Sequence, residues 1–281
     1  MRQEEETQQR QKKTRRGRAW GWTGFGDKTA WDWMELLIVP VVLAVGALLF
    51  NLSLNARQLE TEERRAAAQI EAEDQRAQEE RLQTYLEQMG TLLIDEGLLE
   101  SEEDDEARYL ARARTLAVLR RADDSQKRSV VEFLAESGLA GSGAPGSDVE
   151  PVVSLANADL NGADLAILDY LRGADLTEAF LSDAFMERID LAEASLARAQ
   201  LDGVTLTDAT LWRADLTDAN LSNASLRLAE LRGATLEDAK LEGADFSEAD
   251  LEGATGVTVE ELEEQAASLE AATMPDGTVH D

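Results

Sequence analysis

Three patterns of apolar and polar residues follow one another along the chain. From Leu36 to Ala56 there is no charged residue. Its apolar part, Leu36 to Leu54, would rise ~28 Å as a helix, close to the ~30 Å hydrocarbon core of a bilayer. No other segment could surround a helix that is apolar on every face, so the run predicts a transmembrane helix over residues 35–56. The run is long and has 35 residues ahead of it, which does not suit a cleaved secretory signal. Pro40 is expected in the first turns, where its missing N–H is tolerated. Residues 1–34 mix Gln, Glu and Arg without periodicity and read as a disordered basic, Trp-rich tail. Trp20, Trp22, Trp31 and Trp33 suit the membrane–water boundary.

The second pattern is sparse in apolar residues and rich in helix formers. Residues 57–97 predict a charged helical stalk, supported by pairs such as Glu60–Arg64 and Glu73–Arg76, and interrupted at Gly90 and Gly97. A sustained heptad is missing from its first half, so a coiled coil that would carry oligomerisation is only weakly encoded. Residues 98–140 read as two short helices. The first should bury Tyr109, Ala113, Leu116 and Leu119, and the second should be capped by Asp124 or Ser125 and stopped at Gly138. Residues 141–151 are a Gly/Ser-rich linker by composition.

The third pattern has a period of five, which fits neither a helix nor a strand. Large apolar residues stand at Leu155, Leu160 and Leu165, and after one inserted residue at every fifth position from Leu171 to Leu251. Of these 20 centres 18 are Leu, and Ala stands two residues earlier in 16 cases. A coil of four units buries both positions and leaves the other three outside. The runs ANADL, GADL, RADLTDANL and GADFSEADL resemble the pentapeptide-repeat family, whose motif is A(D/N)Lxx. The resemblance implies a mainly β fold over residues 152–256, a right-handed quadrilateral β-helix of about five coils, ~24 Å long at strand spacing. It implies a bulge near residues 166–170, with Asp169 in an alanine place. Thr258 and Glu261 form a capping box, so residues 257–281 are expected to be a C-terminal capping helix and tail. The helix ending at Ser137 is the matching N-terminal cap. The order of these parts also looks like that of membrane-anchored bacterial members of the family.

Charge narrows the function. The net charge of −30 lies almost entirely after the apolar run, which disfavours direct nucleic-acid binding. There is no cysteine, and the single histidine, His280, sits in the tail. No catalytic, cofactor-binding or metal-ligating residue is therefore expected. The outward Asp159, Asp164, Asp175, Asp190, Asp215, Asp245 and Asp250 read as a solvated acidic face. Eight Lys/Arg precede the span and five lie in the 35 residues after it, although within 20 residues of the apolar stretch Leu36 to Leu54 the count is three on each side. The positive-inside rule then puts the N-terminus in the cytoplasm and the repeat outside a bacterial cell membrane. The chain reads as a non-enzymatic, single-pass membrane protein presenting an acidic β-helical rod to a protein partner. The alternative is a DNA mimic: the resembled family includes proteins that protect DNA gyrase with an acidic, rod-like surface.

Overall fold

The structure, a computed structural model, describes residues 30–102, 104–141 and 150–280. Most of the expected tail and linker lies outside the described residues. The chain divides into two compact units, one ending at Glu73 and one covering Asp74–Asp281.

The first unit contains the start of helix α1, Ala30–Ile94. This is the one helix among the described residues long and apolar enough to cross a membrane, and none of its most apolar window is buried. The span and the stalk are one uninterrupted element. Because the helix begins at Ala30, Pro40 lies inside it and not in the first turns. Its ring costs the bond to the Leu36 carbonyl. Gly90 does not break the helix. The break comes at Gly97, left-handed at φ 62°, ahead of a 3-10 turn at Leu98–Glu100.

In the second unit the end of α1 packs with α2 (Glu106–Leu119) and α3 (Asp124–Glu136). The buried face of α2 is Ala107, Ala111, Thr115 and Leu119, whereas Tyr109 is exposed. Small residues let α2 approach, so the face is set by close packing and not by the largest side chains. Tyr85 fills the space above it. Its hydroxyl shares a 2.9 Å hydrogen bond with the Thr115 hydroxyl, and its ring meets Phe133 edge-on at 6.3 Å. Asp123, and neither Asp124 nor Ser125, caps α3, in a capping box with Gln126. The helix stops in a Schellman turn: Leu139 N–H donates to the Leu134 carbonyl across left-handed Gly138.

From Val152 onward the chain winds into a coil. Each five-residue unit contributes one residue to a parallel bridge and then turns, so no extended strand forms among the described residues. The pairing is a ladder of isolated bridges. Partners are 20 residues apart, as in Asp175–Ser195, which gives four units per turn. Leu centres and the alanines two before them fill the interior, nearly all at 0–1% exposure. Nearly every turn closes with a bond such as Ala219 N–H to the Leu216 carbonyl, and the third residue of each has φ > 0.

Two irregularities correct the sequence expectation. The first bridges, Asp159–Phe180 and Asp164–Phe185, span 21 residues. Leu168, 6% exposed, takes the small-residue place, and Asp169 and Tyr170 bulge outward. This keeps the carboxylate in water and spends an apolar residue on the core. The second correction is at the C-terminus. Helix α4, Val259–Gln265, has the capping box at Thr258, but it interrupts the coil and does not end it. Ser268 pairs with Asp245 and Thr273 with Asp250, both parallel, and Leu269, Ala272 and Met274 are buried. The runs Ala267-Ser268-Leu269 and Ala272-Thr273-Met274 are two further units. Thr273 then pairs antiparallel with Val279, and His280 N–H donates to the Ala272 carbonyl, so this segment is a folded closure rather than a tail.

One corner of the coil stacks Asx side chains on glycines. A Cβ built on Gly203 would lie 2.5 Å from the Asp183 Oδ1, and one on Gly243 would lie 2.8 Å from the Asn223 Oδ1. Gly253 is also left-handed but meets nothing within 4 Å. Gly203→Ala should therefore destabilise more than Gly253→Ala, which carries only the left-handed penalty of about 1–2 kcal/mol. Adding Asp183→Ala should recover the excess in a denaturant double-mutant cycle; equal losses at the two glycines would rule out the contact.

Burial pushes the Tyr85 phenol up to about 12, against which the Thr115 bond pulls it down. A raised phenol stabilises the fold fully below its unfolded value near 10, and the contribution is lost as pH rises toward 12. Alkaline melts should show a loss of roughly 3 kcal/mol across that window, on the scale of ~1.4 kcal/mol per pH unit. Tyr85→Phe should flatten the slope.

Candidate functional site

The interior of the coil is filled, so any site on it must be built from outward positions. The first coil has no turn before it to occupy its carbonyls, and side chains of α2 and α3 do so instead. Lys127 Nζ donates to the Asn161 carbonyl at 2.8 Å. Arg128 donates to the Asp164 carbonyl at 3.0 Å and to that of Ala166 at 3.2 Å, and Arg112 to that of Ala156 at 3.1 Å. Lys127 is almost fully buried, yet its ammonium is hydrogen-bonded and lies 3.6 Å from the Asp159 carboxylate. Asp124 sits 3.5 Å from where a Cβ on Gly162 would be, in the place of an Asx from a preceding coil. Arg112, Lys127 and Arg128 were not singled out by sequence reasoning, because a carbonyl edge leaves no trace in the residues that bond it.

The seven outward aspartates do more than solvate a surface. Each accepts the backbone N–H two residues on: Asp159 from Asn161 at 3.4 Å, Asp164 from Ala166 at 3.2 Å and Asp175 from Thr177 at 3.1 Å. Asp190, Asp215, Asp245 and Asp250 repeat the bond at 2.9–3.0 Å. That N–H lies on the turn, where the bridge ladder offers it no partner, so an Asx turn supplies one. Where the motif has Asp, its carboxylate therefore serves the backbone turn as well as facing solvent.

Arginines break up the negative columns. Arg172 meets Asp190 at 3.1 Å, Arg198 meets Glu178 at 3.0 Å and Arg188 meets Asp208 at 3.5 Å. Arg232 bonds Asp250 and Glu252. The partly exposed pairs contribute little stability. Two aromatic residues occupy Asx places: Phe180, 46% exposed, and Phe185, 55% exposed. Their signal in the sequence is an aromatic where the motif has Asp or Asn. Among the described residues no group of His, Cys, Asp or Glu is arranged to hold a metal ion.

Pentapeptide repeats match in eight copies over residues 170–208 and 214–253. Such repeats imply a right-handed β-helix, in keeping with four units per turn. No curated protein matches the chain. Among solved structures, HetL, a pentapeptide repeat protein involved in heterocyst differentiation regulation from the cyanobacterium Nostoc sp. strain PCC 7120, is 31% identical. That match covers 46% of this chain and 66% of HetL, just under two thirds, at a TM-score of 0.35. A second pentapeptide repeat protein of Nostoc PCC 7120, alr5209, is 30% identical over 38% of this chain and 84% of its own, at a TM-score of 0.24. One from the Arabidopsis thaliana thylakoid lumen is 30% identical over 39% and 71%, at a TM-score of 0.21.

If the outward carboxylate serves the turn, its oxygen matters and its charge does not. Asp215→Ala should cost about 1 kcal/mol by leaving the Thr217 N–H unpaired. Asp215→Asn should be nearly neutral, because the amide oxygen still accepts. Equal melting shifts for the two would return Asp215 to a purely solvated role.

Proposed function

We propose a function on this footing: the chain belongs to the pentapeptide-repeat family. It is a non-enzymatic, single-pass membrane protein that presents its acidic β-helix to a protein partner, with the N-terminus in the cytoplasm and the repeat outside a bacterial cell membrane. The observation that carries this reading is the filled interior. Centres and small positions are buried apolar side chains that offer no polar group within the coil, so recognition falls to the outer surface. There, Phe180 and Phe185 stand exposed among carboxylates whose rotamers are fixed by Asx bonds. Exposed aromatics set among fixed polar groups are what interface hot spots are made of.

The membrane half rests on the unburied apolar window of α1 and on the excess of Lys/Arg before it. Oligomerisation through the stalk is compatible with this reading. A DNA mimic facing the cytoplasm draws less support, because five arginines of the coil sit in ion pairs that interrupt the negative columns.

The chain has no cysteine, so one introduced thiol reports its own side of the membrane. Leu228→Cys, on an exposed corner, should be labelled by a membrane-impermeant maleimide in intact spheroplasts. Labelling only after lysis, together with inhibition of gyrase supercoiling by the purified chain, would replace this reading with the DNA mimic.

A further inference from the structure

The helical part of the second unit holds a cavity that the interaction reading does not use. It has a volume of about 230 Å³, lies between the end of α1 and helix α2 beside the start of α3, and is open to solvent. Tyr85, Ala117, Val118 and Ala122 give it an apolar side, and Arg81, Arg114 and Arg121 line the rest with Thr84, Gln88 and Gln126. No Asp or Glu lines it, in a chain with 57 acidic and 27 basic residues. Three guanidiniums around one small cavity run against the net charge of the chain as a whole.

Structural uses account for little of this. Arg121, just past the end of α2, gains from the helix dipole, but Arg81 and Arg114 lie within helices and do not. Among the described residues none of the three forms an ion pair. The one hydrogen bond they make is a long contact, 3.5 Å, from Arg114 Nη1 to the Gln88 carbonyl. Several neighbouring basic side chains have partners in the protein: Arg108 bonds Ser101, and Arg112, Lys127 and Arg128 bond the first coil, whereas Arg120 forms no ion pair among the described residues and lies outside the cavity. Gln126 accepts from Asp123 N–H through its amide oxygen, which leaves its NH₂ group as a further donor. The lining is therefore rich in open donors and poor in acceptors. That is the composition that matches oxyanions, because guanidinium forks pair with phosphate and carboxylate oxygens two at a time.

We propose that this cavity binds a small oxyanion, a phosphate compound or a polycarboxylate, held by Arg81, Arg114 and Arg121 beside Tyr85 and Val118. The volume is below that of pockets for drug-sized ligands, so the ligand is a small metabolite. Because the cavity joins α1 to α2, occupancy ties the end of the long helix to the helices that cover the first coil.

The test uses the purified full chain in detergent, titrated calorimetrically with pyrophosphate and, separately, with citrate. Ionic strength is matched by sodium chloride. Saturable binding of at least one anion is expected, and which one binds separates phosphate from carboxylate chemistry. Arg114→Gln with Arg121→Gln should weaken it by at least about tenfold, as loss of charge-assisted bonds does. Arg213→Gln, on the coil and stacked on Trp212, should leave it unchanged. Should the double variant lose its helical circular dichroism, Arg81→Gln on the exposed flank of α1 takes its place. Absence of saturable heat for both anions, or equal weakening by Arg213→Gln, overturns the proposal.

Discussion

A chain that pairs with itself every 20 residues must change direction four times per turn, and it does so by placing one residue per unit in the left-handed region. All twenty units from Leu155 to Leu251 obey this, with Gly at six of the positions and other residues at fourteen. Left-handed backbone is disfavoured for most side chains, and Asn and Asp bear it best. Six of the fourteen are Asn or Asp, but Ile167 is β-branched and sits at φ 63°. The local cost is met by cooperation: the bridge ladder, the turn bond and the buried Leu each demand the same corner. Interior width, alanine and the Asx bond follow from that geometry, because a tight corner leaves room for one large side chain and one small.

What the sequence makes legible is whatever repeats. The five-residue period determines the burial of Leu and Ala unit by unit, and the single inserted residue announces a change of offset. Where the period meets a local choice, legibility fails. Leu168 and Asp169 compete for one buried place, and the winner depends on which can be desolvated. The two units after α4 are written in the same code, but with Ser268 and Thr273 where Asp or Asn would stand and Met274 for Leu, and an inserted helix hides their phase. For the helical part, side-chain size misleads: Tyr109 looks like core, whereas the buried row is Ala107, Ala111 and Thr115. Of the candidate sites, the outward carboxylates were visible but their work was not. The lid of Arg112, Lys127 and Arg128 was invisible because its partners are carbonyls, which every residue has.

Both ends of the coil meet the same difficulty, an open row of backbone groups, and answer it differently. At the start, long cationic side chains reach into the carbonyls of the first turn. Near the end, Gln265 stands in for a strand: its side-chain oxygen accepts the Leu241 N–H at 3.2 Å and its own carbonyl accepts that of Gly243 at 2.8 Å. Covered edges of this kind keep a ladder of bridges from adding a neighbour's chain.

The corner where Asx side chains rest on glycines alternates along the coil: Gly162, Asp183, Gly203, Asn223, Gly243. Backbone pairing repeats with every turn, but this edge repeats with every second one, a doubling of the period like that of a superlattice. Adjacent turns are thus unlike tiles, and the smallest block that could be excised or copied without a mismatch at this corner is a pair of them. Asp124, lent by α3 to sit over Gly162, completes the first such pair from outside the coil, so the phase of the alternation is set where the helices meet the first turn.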